Sequence, residues 1–251
     1  MPSLSIAGTA FNCLEWPQPA IQWSVSHVDL ENGYVDACDE SAALDIYTTE
    51  LAFVLKQADM DTLRTVLGAN RETLTLSAFG VSIFAPNVDH SGSIAATLVD
   101  PGQREHVAFA YVGGGVHKVN LKLRAHAPTL LSTTPSLAAL RLQKGWNGDH
   151  SWDVAAGFTS GHTPKYSDKR TDAGFFNGRF LQTTSEMPAL LAYILTTARG
   201  NAFTLPTFPA VNSPFGADKG AGPFNCRIKS FSFSRIAVSH WTLNIEFVEA
   251  P

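Results

Sequence analysis

The stretch Phe53-Val54-Leu55-Lys56-Gln57-Ala58-Asp59-Met60, continued by Leu63, Val66 and Leu67, decides the fold because it recurs. Its second copy is Phe180-Leu181-Gln182-Thr183-Thr184-Ser185-Glu186-Met187, continued by Leu190, Tyr193 and Ile194, at a constant offset of 127 residues. Self-similarity at a fixed offset is the signature of a repeated structural unit. In each copy a short apolar run gives way to apolar residues at helical spacing, as in Met187, Leu190, Leu191 and Ile194, so a strand runs into a helix. Ser185 or Thr184 is the expected cap of the second helix, with Pro188 in its first turn and Arg199-Gly200 at its end. For the first helix, Asp59 is the expected cap and Gly68 or Asn70 the left-handed stop.

Working outward, the period returns to two after each helix, in Thr73-Leu74-Thr75-Leu76 and in Ala202-Phe203-Thr204-Leu205. Gly92-x-Ile94-x-Ala96-x-Leu98 then aligns with Gly222-x-Phe224-x-Cys226-x-Ile228 at an offset of 130. Each half closes on an alternating strand, Val119-x-Leu121-x-Leu123 and Leu243-x-Ile245-x-Phe247, with the offset drifting to 123 or 124. Gly113-Gly114-Gly115 lies between two β-patterned runs and reads as a hairpin or mobile loop. Ahead of the helix, Gln22-Trp23-Ser24-Val25 and Ser151-Trp152-Asp153-Val154 share a Trp-x-Val and suggest an opening strand and loop. The expected division is residues 1–128 and 129–251, with the boundary near Pro128.

The chemistry that would announce an enzyme is missing. No HExxH, GxSxG, GxxxxGK[ST] or GxGxxG occurs. His150 and His162 flank Asp153, His240 stands beside Trp241, and Asp59/Asp61 and Asp100/Glu105 are carboxylate pairs by number alone. None has the spacing of a catalytic or metal-binding constellation, so no enzyme activity, cofactor or metal is expected. Cys13, Cys38 and Cys226 are an odd set without CxxC and read as buried or half-buried thiols. A formal net charge of -4 and the lack of a Lys/Arg cluster argue against nucleic-acid binding. No apolar run approaches 18 residues, so no membrane partner is expected.

The second copy carries a resemblance. Tyr166-Ser167, Ala173-Gly174, Gly178-Arg179-Phe180-Leu181-Gln182-Thr183, the helix from Glu186 to Ala198, Gly200, Ala202-Phe203, Pro206 and Trp241-x-Leu243-x-Ile245-Glu246-Phe247 resemble the lambda-like minor tail protein M and distal tail protein family of phages. The resemblance implies a β-rich α+β fold of two tandem tail-tube-like β-sandwich or barrel domains, each with one flanking α-helix. It further implies a structural virion protein that forms a ring of three or six copies at the distal end of the tail tube. Its partners would be itself, the tail tube protein and the hub or tip proteins, with DNA only passing through the lumen. A trimeric hub with pseudo-six-fold tube domains is the alternative. A carbohydrate-binding or cell-wall-degrading tail-tip module is the rival from a different class, motivated by Trp16, Trp23, Trp146 and Trp152. The aromatic, Pro-rich loop from Thr204 to Phe224 reads as a contact arm, and Phe208, Phe215, Phe224, Trp241 and Phe247 are the expected subunit contacts.

Overall fold

The structure is a computed structural model that describes residues 2–29, 35–39, 45–70, 72–99, 107–137, 140, 147–150, 154–158, 164–168, 174–205 and 223–250. β1 (Ser3–Ile6) and β2 (Thr9–Asn12) form a hairpin. β3 (Gln18–Gln22) follows, then a two-stranded ribbon of β4 (Val25–Asp29) and β5 (Val35–Asp39). β6 (Ile46–Lys56) passes directly into α1 (Gln57–Ala69). β7 (Leu74–Ser77), β8 (Ile94–Leu98), β9 (Val107–Gly113) and β10 (Val116–Ala125) complete the first sheet. Its order is β2-β1-β7-β8-β10-β6-β3, and β9 shares one edge of β10 with β8.

The second sheet repeats this plan. β11 (Asn147–His150), the ribbon of β12 (Val154–Phe158) and β13 (Pro164–Asp168), and β14 (Gly174–Thr183) lead into α2 (Met187–Ala192), which a π-helical turn over Tyr193–Thr197 extends. β15 (Phe203–Leu205), β16 (Phe224–Ala237) and β17 (His240–Glu249) then give the order β11-β14-β17-β16-β15. Neither hydrogen-bonded path closes on itself among the described residues, so both sheets are open there rather than barrels.

Registers match at the offsets read from the sequence. Phe53 pairs with Val119 and Phe180 with Leu243; Leu74 pairs with Ala96 and Phe203 with Cys226. The ribbons agree as well, Val25 opposite Asp39 and Val154 opposite Asp168. Single hydrogen bonds recur: Gln57 N donates to Gly115 O (3.0 Å) as Thr184 N does to Ser239 O (2.9 Å), and His126 N to Ala95 O (2.8 Å) as Ala250 N does to Asn225 O (2.9 Å). The segment expected to be an opening strand and loop is therefore a strand and a ribbon in both halves.

Two differences distinguish the copies. The continuous β16 stands where β8 and β9 are separate strands, and the β1–β2 hairpin has no counterpart among the described residues of the second half. Near the tips, the β9–β10 and β16–β17 hairpins slip register at equivalent places, so Val112 and Ile236 are bulge residues turned outward, 67% and 51% exposed. The Gly114-Gly115 tip has positive φ at both positions (62° and 77°), the backbone that a two-residue hairpin with right-handed strand twist requires.

Helix ends depart from expectation for a physical reason. α1 begins at Gln57, so Asp59 lies in its first turn and is not its cap; the Gly115 carbonyl takes the Gln57 N–H instead. The helix ends at Asn70 with φ -120°, outside the left-handed region, where the Asn70 side chain and backbone N–H both donate to Val66 O. In α2 neither Ser185 nor Thr184 caps the helix. The Glu186 carboxylate accepts from the backbone N–H and hydroxyl of Thr183 (3.0 and 2.8 Å), one arm of a capping box, while Thr184 Oγ1 receives the Trp241 indole N–H.

One hydrophobic core runs through both sheets, centred on Phe53, Phe84, Phe176, Phe180, Trp241 and Phe247. The joining segment is strapped down on both sides: Asp89 N donates to Thr129 O (2.8 Å), Leu131 N to Asn87 O (2.8 Å) and Ser136 N to Ala189 O (3.1 Å). Side-chain volume is exchanged between the copies. At the positions occupied by Thr49, Leu51 and Phe53 in β6, β14 has Phe176, Gly178 and Phe180, and the two rings close over the glycine. A Cβ at Gly178 would lie 2.5 Å from the Phe180 ring and 3.1 Å from Phe176. Gly178→Ala is therefore expected to cost about 1–3 kcal/mol by overpacking, read from chemical denaturation; an unchanged midpoint would show that the rings move aside freely.

Candidate interaction surface

Among the described residues the β4–β5 ribbon hydrogen-bonds as a sheet only to itself, and five residues per strand are too few for a core. It is held instead by the second half. Arg199 follows the π-helical turn and is 4% exposed. Its Nη1 donates to both Asp45 carboxylate oxygens (3.0 and 2.8 Å), its Nε to Asp39, and its Nη2 to Ser24 O (3.2 Å). Asp45, whose side chain is 3% exposed, also accepts from Ser24 N (2.9 Å). A charge taken out of water is tolerable only when paired and hydrogen-bonded in this way. Gly200 (φ +63°) then turns the chain against the ribbon, with Asp39 Cβ 3.6 Å from where its own Cβ would be.

Further along β16 the contact continues. Arg227 Nη1 donates to Asp36 Oδ1 (2.9 Å) and to Gly200 O (3.0 Å), His27 Nε2 donates to Ile228 O (3.1 Å), and Trp23 meets Phe231 edge-on at 5.1 Å. Arg235 is stacked between two tryptophans, its guanidinium carbon 4.4 Å from the Trp241 ring centre and 5.6 Å from that of Trp16. Its Nε and Nη1 are buried without a hydrogen-bond partner, and desolvation lowers its pKa. The two ring faces supply the attraction that a carboxylate would otherwise give. The contact is one-directional: the first half offers its β3-to-β6 segment, the second the end of its helix and β16.

Several expected site residues fall elsewhere. Phe224, Trp241 and Phe247 are 8%, 0% and 0% exposed, packed into the chain's own core by the inward parity of β16 and β17, so they are corrected from subunit contacts to core residues. Phe208, Phe215, Asp100, Glu105, Asp153, His162, Trp146 and Trp152 lie outside the described residues. Cys13 and Cys226 are buried, which raises the Cys13 thiol to about 11, whereas Cys38 on the ribbon is exposed, contrary to expectation. His240 contacts only its neighbour Ser239 among hydrogen-bonding side chains (2.9 Å), and among the described residues no three His, Cys, Asp or Glu side chains gather to hold a metal ion. The polar hollow over β14, β16 and β17 is shallow, and its Glu246 is engaged by Ser230 (3.0 Å) and Lys229 (3.8 Å). The signals that sequence reading passed over were Arg199, present after the second helix alone, and the acidic residues of the first ribbon.

Beside this contact, half-buried His90 closes the loop on which the joining segment lies. Its Nε2 accepts from Ile83 N (3.2 Å) and Phe84 N (3.1 Å), which leaves the proton on Nδ1 to donate to Val88 O (2.8 Å). Burial holds its pKa below the ordinary 6.5. The unfolded chain therefore takes up the proton first, and stability is full above about pH 6.5 and falls as pH drops toward the depressed folded value. Denaturation midpoints at pH 7.5 and 5 should differ less in His90→Gln than in the native chain; an equal difference would refute this role. Arg199→Ala leaves Asp45 buried and uncompensated and is expected to cost about 3–5 kcal/mol, measured by urea unfolding; a loss under about 1 kcal/mol, the size typical of an exposed pair, would contradict the burial.

The chain matches no protein-family model and no curated protein sequence, so its function is read from this geometry.

Proposed function

We propose that the chain is a structural protein of a long-tailed bacteriophage tail, forming a ring at the distal end of the tail tube that connects the tube to the tip. The observation that carries the reading is the double β-frame, repeated strand by strand at one register, whose halves meet through different surfaces of each copy. A contact of that kind is heterologous, and heterologous contacts generate rings when the rotation closes. The residues preserved between the copies serve packing: Phe53 and Phe180, Met60 and Met187, Leu63 and Leu190. Polar residues are kept less strictly: Asp39 and Asp168 agree, whereas Lys122 stands where the second copy has Glu246. The described tryptophans Trp16, Trp23 and Trp241 are occupied by Arg235, Phe231 and the core, which weighs against an exposed sugar platform.

A second reading, a hub of three chains with pseudo-six-fold symmetry, is favoured by the equal registers of the halves, because equivalent units can take equivalent ring positions. Both readings predict rings, and electron microscopy of the purified protein and of the tail tip separates them. Six protomers around the tail axis support the distal ring and three support the hub, while particles without ring density would sink the assembly reading altogether.

A further inference from the structure

Repetition gives each half a counterpart of the surface that the other half uses in this one-directional contact. The first half carries the counterpart of the surface that β16 and the end of α2 present, on β8, β9 and the end of α1; the second carries the counterpart of the ribbon surface, on β11 and β12–β13. Register assigns the equivalences: Thr97 occupies the place of Arg227 and Tyr111 that of Arg235. Tyr111 meets His117 at 5.3 Å with the rings tilted by 57°, in the place where Arg235 lies over Trp241, and Tyr111 has no counterpart of Trp16 against it among the described residues. It is 68% exposed and its bulge neighbour Val112 67%, two of the most exposed large apolar side chains among the described residues. Among the described residues β9 hydrogen-bonds as a strand only to β10.

From this juxtaposition we propose that a second copy of this chain docks its β11 and β12–β13 end onto the Tyr111–Val112 face of the first half. The contact reproduces between chains the one already made within each chain. The chain itself supplies the template and the counterparts of both its surfaces, which is why the occupant is another copy. This deepens the assembly reading and rests on it for the claim that the chain self-associates. The new contact has a different character: neutral Thr97 and Tyr111 replace two of the three arginines, so it depends on apolar burial and is less sensitive to salt than an ionic seam.

The test is the oligomeric state by mass photometry and sedimentation, for the full chain at micromolar concentration in low and high salt. The Tyr111→Glu/Val112→Glu variant should lose on the order of 100-fold in association, since a carboxylate is forced into the place that Arg235, 7% exposed, holds in the contact within the chain, with its circular dichroism and melting unchanged. Ile236→Glu, at the equivalent bulge of the second half, should assemble as the native chain does. Assembly of the double variant at native affinity would overturn the inference while leaving the ring reading intact, and a native chain that stays monomeric would overturn both. As a check independent of that variant's folding, a photo-crosslinking amino acid at position 111 should capture β11, β12 or β13 of another copy; capture elsewhere, or none, counts against the proposal.

Discussion

Everything in the relation between the two halves turns on the buried Arg199 guanidinium. A cation 4% exposed persists only where its surroundings return what water gave it, and Asp45, Asp39 and the Ser24 carbonyl do so from three points of the first half. Those points lie before β4, at the end of β5 and before β6. Fixing them fixes the ribbon, and with it the face that meets Arg227 and Phe231. An apolar seam of equal area would hold the halves together at many angles. The directional donors of a guanidinium permit one.

The repeat supplies the scaffold for this pin, and divergence between the copies supplies its specificity. Backbone features are shared to the level of single hydrogen bonds, as at Gln57–Gly115 and Thr184–Ser239. Side chains are not. Where the first half has Thr49 and Leu51, the second has Phe176 and Gly178, and where the second half lays an arginine over a tryptophan, the first sets Tyr111 at a tilt against His117. The frame is held by backbone pairing and core volume, which leaves outward positions free to become different contact surfaces.

Most of the frame was legible in the sequence, because core positions such as Phe53/Phe180 and Leu63/Leu190 must keep their character to pack. The ribbons were not: with little core to fill they share a Trp-x-Val and little else, and their common register is a property of backbone pairing. Helix caps were misread at Asp59 and Ser185 because a tertiary partner, the Gly115 carbonyl, takes the first N–H of α1, and a local Thr183–Glu186 pair closes the turn ahead of α2. The burial of Phe247 was already implied by its parity with Leu243 and Ile245 on one strand face. Arg199 left a faint trace, an Arg-Gly without counterpart after the first helix, but ion pairs spanning 154 and 160 residues have no spacing to read.

That separation also sets an order in time. Asp45 precedes Arg199 by 154 residues, so at ribosomal rates of roughly 5–20 residues per second the carboxylate is made on the order of 10–30 s before its partner. In the later part of that interval, once β10 has been made, the first sheet is complete in sequence while Asp36, Asp39 and Asp45 have neither Arg199 nor Arg227 to meet. The nascent first half is thus an unfinished surface whose three carboxylates wait for cations that only its own second half supplies.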